Sequence, residues 1–358
     1  MGKKVLIVDD SALMRRLLSD IIRKDSMFST IETAVNGEQA FRMMQEEGDF
    51  DLLLLDVNMP VMDGIEVLKH MVSLRQKPVT IVVSSVAKQG TITTIKALEY
   101  GAFDFITKPS TVAAVSREEF QSRLWQMIYQ ALGEERQAGV QPPVQSIPDV
   151  GNQGAKYSKV TGNHKKIVVV ASSTGGPKAL QTFLPGLVSQ IDAPVLLVQH
   201  MPEGFTNSLA CRLDELSEVK VMEAMDGMRL EKGVVYIAKG GHQMRLCLDN
   251  KKIFRLMVTK EEARNGLRPC ADVLLESMQP YEFASCVCVV LTGMGADGTK
   301  GILQLYNQNK KNIYIIAQNE ETSTVYGMPK AIADKGIVNE VLPLAQIADA
   351  IVKHVGVQ

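Results

Sequence analysis

Two sets of side chains in this sequence have the types and spacing to do chemistry. The first set is Asp9, Asp10, Asp56, Ser84 and Lys108. Each ends a short apolar run: "VLIVDD", "LLLLD", "TIVVSS" and "FDFITK". Three carboxylates converging on one pocket repel one another and need a cation, and an all-oxygen set with open positions suits Mg2+. With Asp9, Asp10 and Asp56 around it, the metal would neutralise an incoming phosphoryl group and make Asp56 a nucleophile toward phosphorus. Lys108 can pair with a carboxylate or a phosphoryl oxygen, and Ser84 can bond a new one. Pro109, directly after the lysine, fixes its exit angle. Capping of the next helix by Asp10 or Ser11 would explain one aspartate but not the set.

The second set begins at "ASSTGG", which follows the apolar run "KIVVV". Strand residues alternate faces, so only one of Ser172 and Ser173 can point into a site at the strand's end. Glycines just beyond permit a tight turn and close approach of the backbone. Such a turn exposes its apex residue as nucleophile elbows do, although Ala171 breaks the G-x-S-x-G pattern. A phosphate nest or a helix N-cap stays open for the stretch by itself. The dinucleotide reading is poor, because G-x-G-x-x-G is absent.

A serine nucleophile needs a base. His70 lies in the first half, His164 in a Pro- and Gly-rich stretch and His354 in the C-terminal tail. His242 follows Gly240-Gly241 among hairpin signals. His200 instead ends "APVLLVQH", the next buried strand, and arrives at the same sheet edge as Ser173. The run "CVCVVL" then leads into the glycine-rich "TGMGADGTKG". Asp297 in this loop can orient an imidazole. A phosphate cradle is the alternative reading of the loop; a calcium loop fails for want of further carboxylates. The loop can also present amides to an oxyanion, with Met294 best placed.

The elements that must position these residues are legible too. Residues 134–164 carry Pro142, Pro143 and Pro148 among Gly, Gln and Ser without apolar period, and read as a linker between domains at 1–133 and 165–358. Both halves alternate short apolar runs with helical periods. That predicts two α/β domains with doubly wound parallel sheets, flavodoxin-like then Rossmann-like, with sites at the carboxyl ends of their strands. In the first, the strands are "KVLIVD", "IETAV", "DLLLLD", "VTIVVSS" and "FDFITK", with helices over "SALMRRLLSDIIRK" and "NGEQAFRMMQEE".

Composition narrows the classes. The chain has 358 residues, 39 basic against 40 acidic, for a net charge of −1, which gives no electrostatic case for nucleic acid or an anionic membrane. No apolar run approaches a membrane span, and "MGKKVLIVDD" is no signal peptide, so a cytoplasmic protein is expected. All five cysteines fall in the second half with no C-x-x-C, and read as reduced, buried thiols rather than a metal site.

"VDDS", "LLLLDVNMPVMDG", "VVSS" and "FDFITKP" make residues 3–131 resemble the receiver domain of two-component response regulators. The resemblance implies phosphorylation of Asp56 by a histidine kinase, with Asp9 and Asp10 on Mg2+. Ser84 and Phe105 match positions that couple phosphorylation to surface shape. From about residue 166 onward, "ASSTGGP", "QHMPEGFTNSLACRL", "YIAKGGHQM", "RPCADVL", "LTGMGADGTKG" and "TSTVYGMPKA" resemble the chemotaxis protein-glutamate methylesterase domain. This implies Ser173 as nucleophile, His200 as base and Asp297 as orienting acid. The Met294 amide would serve the oxyanion with Thr174 beside it, and Gly175 and Gly176 would let the substrate carbonyl approach. It further implies phosphorylation-activated hydrolysis of glutamate methyl esters, and deamidation of glutamines, on chemoreceptor cytoplasmic helices, with no cofactor for the esterase. The unphosphorylated receiver would cover the active site. Three positions depart from the family: Cys270 stands where Ser is usual, Gln243 where His is frequent, and Lys239 where Pro is.

Overall fold

The computed structural model describes residues 2–46, 48–109, 114–134 and 165–358. Apart from Glu134, the predicted linker lies outside them. The chain divides into two compact units, within residues 1–137 and 138–358.

The first unit runs β1 (Lys3–Val8), α1 (Ala12–Ile22), β2 (Phe28–Ala34), α2 (Gly37–Glu46), β3 (Leu52–Leu55), α3 (Gly64–His70), β4 (Val79–Ser84), α4 (Lys88–Glu99), β5 (Asp104–Thr107) and α5 (Ala114–Ala131). Its strands pair in parallel in the order β2-β1-β3-β4-β5. The four leucines of β3 are fully buried, as an unbroken apolar run in a central parallel strand requires. Leu17, Leu18, Ile21 and Ile22 form the buried stripe of α1, and Ser11 caps that helix through the Met14 N–H. All five predicted strands and both predicted helices are present, with ends shifted by a residue or a few.

The second unit runs β6 (Lys166–Ser172), α6 (Gly176–Phe183), β7 (Val195–Gln199), α7 (Phe205–Leu216), β8 (Lys220–Glu223), β9 (Val234–Ile237), β10 (Gln243–Leu248), β11 (Phe254–Thr259), α8 (Ala271–Met278), β12 (Ser285–Val290), α9 (Thr299–Asn309), β13 (Ile313–Gln318), α10 (Met328–Ala333), β14 (Glu340–Leu342) and α11 (Ile347–Val355). Seven strands form a parallel sheet in the order β14-β13-β12-β6-β7-β9-β8. β10 and β11 form a separate antiparallel hairpin, and its Met244, Leu246, Phe254 and Leu256 join the core that also holds Cys286 and Cys288. The chain leaves β6 toward β7 on one side, while β12 pairs with the other. This topological switch lies at the carboxyl ends of β6 and β12, where open α/β sheets bind ligands.

Two sequence expectations change. Cys270, Cys286 and Cys288 are buried, but Cys247 is only half-buried and Cys211 is exposed on α7. An amphipathic helix has room for a small thiol on its outer face as well as its inner one. His354 lies on α11, stacked on Tyr314 with ring centroids 3.5 Å apart, rather than in a tail. No helix among the described residues is long and apolar enough to cross a membrane.

Candidate active site

The end of β6 is held from both sides. Toward β12, the Ser173 N–H donates to the Thr292 carbonyl at 3.0 Å. Toward β7, Ser172 pairs with Gln199, and the His200 N–H donates to the Ser172 carbonyl at 3.1 Å. Strand alternation then separates the two serines. Ser172 is fully buried and its hydroxyl donates to Gln199 Oε1 at 2.7 Å. Ser173 is half-buried, and its Oγ has no hydrogen-bond partner among the described residues. Ser173 is the hydroxyl free to react.

His200 Nε2 lies 2.7 Å from Asp297 Oδ2. The carboxylate is gripped on its other side by the start of α8. Ala271 N–H donates to Oδ2 at 2.6 Å, and Asp272 N–H and Cys270 Sγ–H donate to Oδ1 at 3.0 Å each. Asp297 therefore both faces the imidazole and caps a helix N-terminus. Burial by itself would push its carboxyl up; the hydrogen bond and charge of His200 and the donors of residues 270 and 272 outweigh that and hold it at about 2. Behind it, burial pushes the Asp272 carboxyl up to about 6 although the Gly301 N–H donates to it.

With Nε2 on the carboxylate, Nδ1 is the ring atom left for Ser173. No hydrogen bond joins Ser173 Oγ to His200 among the described residues; in hydrolases without substrate this contact is often loose and tightens on binding. The glycines of the turn sit against protein side chains. A Cβ at Gly176 would lie 2.0 Å from Gln199 Oε1, and one at Gly175 (φ 75°) would lie 2.4 Å from the Thr324 side chain. They admit protein side chains. Gly293 packs against Ser173, where a Cβ would stand 2.7 Å from Ser173 Cβ, and this brings the chain at Met294 alongside Ser173. Thr174 is fixed through its carbonyl, which accepts from Thr292 Oγ1 at 2.9 Å.

In the first unit, Asp9 and Asp56 are buried and Asp10 is exposed. One carboxylate oxygen of each lies within 4.8 Å of the others. Lys108 Nζ stands 2.7 Å from Asp56 Oδ2 and 2.8 Å from Asp9 Oδ2. Burial pushes the Asp56 carboxyl up, against the pull of Lys108. Burial pulls the Lys108 ammonium down, but its hydrogen bonds to Asp56 and Asp9 carry it above its ordinary value. One ammonium against three carboxylates leaves an excess of negative charge on hard oxygen donors, which fits a divalent cation such as Mg2+. Ser84 ends β4, where its Oγ accepts from Thr94 Oγ1 on α4 at 2.6 Å, and the same Thr94 hydroxyl lies 2.7 Å from the Gly90 carbonyl. Phe105 is buried on β5.

Residues 168–351 match the family described as CheB methylesterase, and residues 5–117 match the response regulator receiver domain. A protein-glutamate methylesterase/protein-glutamine glutaminase from Halalkalibacterium halodurans is 41% identical over 354 residues, covering 98% of each chain. The chain belongs to the CheB methylesterase family. A Bacillus subtilis protein with the same name is 39% identical over 351 residues and 97% of each chain. The crystal structure of the Thermotoga maritima CheB methylesterase catalytic domain aligns with a TM-score of 0.50 at 40% identity, over 53% of this chain and 98% of that one.

Two of the three departures from the family pattern make hydrogen bonds inside the fold. Gln243 is buried, and its amide accepts from the Cys270 N–H and donates to the Leu267 carbonyl, both at 3.0 Å, pinning the approach to α8. Lys239 is half-buried. Cys270 places a thiol where a serine hydroxyl could donate equally to Asp297. Cys270→Ser is therefore expected to keep the wild-type turnover within about twofold, and Cys270→Ala to lower it about three- to tenfold, the worth of one hydrogen bond. Methanol release from a methylated substrate measures both; equal rates for the two variants would show that the Sγ–H bond has no part in turnover.

Gln199, Thr292 and the grip of α8 on Asp297 escaped the sequence reading. Gln199 had a signal: it is a polar residue inside a buried strand end, next to His200. Residues 270–272 fell in the motif "RPCADVL", but their bonds to Asp297 left no signal, since they lie 25 to 27 positions before the aspartate they hold.

Proposed function

We propose that this CheB-family chain removes methyl groups from glutamate side chains on chemoreceptor cytoplasmic domains, and deamidates glutamines there, under control of phosphorylation at Asp56. The observation that carries the reading is the Asp297–His200 pair at 2.7 Å beside an uncommitted Ser173 hydroxyl. Asp297 keeps the proton on Nε2, so the Nδ1 lone pair takes the Ser173 proton as Oγ attacks the ester carbonyl. The oxyanion meets the backbone amide at Met294 next to Thr174. His200 returns the proton to the departing methoxide, giving methanol and a glutamyl-Ser173 ester. Water, deprotonated by His200, then frees the glutamate. An amide follows the same path and releases ammonia.

In the receiver, Asp9, Asp10 and Asp56 would hold Mg2+, which supplies charge neutralisation for phosphoryl transfer. Lys108 already bridges Asp9 and Asp56 and is placed to bind a phosphoryl oxygen. The phosphodonor is a histidine kinase, Ser84 and Phe105 relay the change, and the whole cycle is cytoplasmic, in chemotaxis adaptation.

The test is methanol release from methylated receptor membranes, with and without a small phosphodonor. Absence of methanol in both would overturn the reading. Asp56→Asn is expected to lose the response to phosphodonor entirely, because an amide cannot take the place of the carboxylate that this reading makes the phosphoryl acceptor. A variant that still responds removes Asp56 from that role.

A further inference from the structure

We infer that Gln199 is a positioning residue that ties the nucleophile's turn to the base, and that Ser172 orients its amide. The inference rests on Ser173 and His200 being nucleophile and base. Gln199 ends β7 with 2% of its surface exposed. Its Nε2 donates to the Ser173 carbonyl at 2.9 Å and to the His200 carbonyl at 3.1 Å. Its Oε1 accepts from Ser172 Oγ at 2.7 Å. Reversing the amide would set Oε1 against two carbonyl oxygens, so the surroundings admit a single orientation.

A buried glutamine could simply satisfy polar groups left by the strand ends. The bonding argues for more. The Ser173 carbonyl already accepts from the Gly176 N–H at 2.8 Å, so the second donor is not needed to avoid an orphan. It adds a cross-link between residues 173 and 200. Gly176 keeps the space open, since any Cβ there would meet Oε1 at 2.0 Å. Strand pairing sets the backbones of β6 and β7 in register but stops at Ser172 and Gln199. Beyond that point, where Ser173 Oγ and His200 Nδ1 must meet without a hydrogen bond of their own, the amide is the direct side-chain tether. A misplacement of 1 Å at such a pair costs on the order of 100-fold in rate.

Gln199→Met keeps the length and removes both donors and the acceptor. In the full-length protein it is expected to lower kcat for methyl-ester hydrolysis about 30- to 100-fold with KM within about twofold, because Gln199 is buried at the end of β7. Ser172→Ala removes only the orienting hydroxyl and is expected to cost about three- to tenfold in kcat. The double variant should be no slower than Gln199→Met, since without the amide the hydroxyl has nothing to orient. A folded Gln199→Met with kcat within twofold of wild type overturns the inference, as does a double variant whose losses multiply. Should Gln199→Met fail to melt cooperatively, Ser172→Ala decides: wild-type kcat there also overturns it. Retained activity in Ser173→Ala would instead overturn the assignment of the nucleophile. A dead Ser173→Ala with Gln199 and Ser172 variants at full rate removes this inference alone.

Discussion

Ser173→Ala is expected to lower methyl-ester hydrolysis by three orders of magnitude or more while leaving the melting temperature unchanged. The rate falls because the acyl-enzyme cannot form; binding and the oxyanion amide leave only a residue of catalysis. Stability survives because the hydroxyl makes no hydrogen bond among the described residues and sits half-exposed at the turn. The backbone carries that turn: Ser173 N–H to Thr292, and Gly176 N–H to the Ser173 carbonyl at 2.8 Å. Alanine alters neither. Ser172→Ala is the control, since Ser172 is buried and bonded to Gln199, and it should retain at least about a tenth of the rate. The assay is methanol release, with thermal melts on the same samples. A dead Ser172→Ala beside an active Ser173→Ala would put the site one residue out of register, on the face of β6 that now holds Gln199.

The sequence revealed these residues because buried parallel strands read as unbroken apolar runs, so polar residues at their ends stand out. "LLLLD" ends in Asp56, "VVVAS" leads to Ser173 and "VLLVQ" to His200. The two sheets follow from the same runs, since a strand buried on both faces needs helices on both sides. What stayed hidden depends on contacts between distant segments. Asp297 is bonded by residues 270–272, and nothing in "RPCADVL" marks a helix start that donates to a carboxylate from another loop. Gly175 and Gly176 signal a tight turn, but only the packing shows that Thr324 and Gln199 occupy the space. Ser84 was expected at the phosphoryl group because it ends β4, but its bond from Thr94 on α4 was not legible along the chain. Side-chain hydroxyls find partners through tertiary packing, which spacing along the chain does not encode.

Asp297→Asn is expected to reduce turnover about 1,000- to 10,000-fold and to destabilise the catalytic unit as well. Both effects come from the four donors on its two oxygens: His200 and Ala271 N–H at Oδ2, Asp272 N–H and Cys270 Sγ–H at Oδ1. An asparagine has one oxygen, so either way it turns, its NH2 meets two donors. If the NH2 faces His200, Nε2 must accept and the ring proton moves to Nδ1, the atom Ser173 needs as a base. If it faces Asp272, the α8 start loses a bond. A buried donor left unmet costs about 1–3 kcal/mol, which a melt of the catalytic unit will read at neutral pH. The pH dependence supplies a second signature. Asp297 is held at about 2, below its ordinary 3.8. A carboxyl depressed on folding contributes stability above its unfolded value, here about 2 kcal/mol, and loses it as pH falls from about 4 through about 2. Wild type should therefore lose more stability than Asp297→Asn across that interval. Any rate loss on the acid side near neutrality would come from another group, because Asp297 stays ionised there. A near-normal rate in the variant, together with the stability loss, would make Asp297 a cap for α8 and leave His200 to be oriented by its backbone and Gln199 alone.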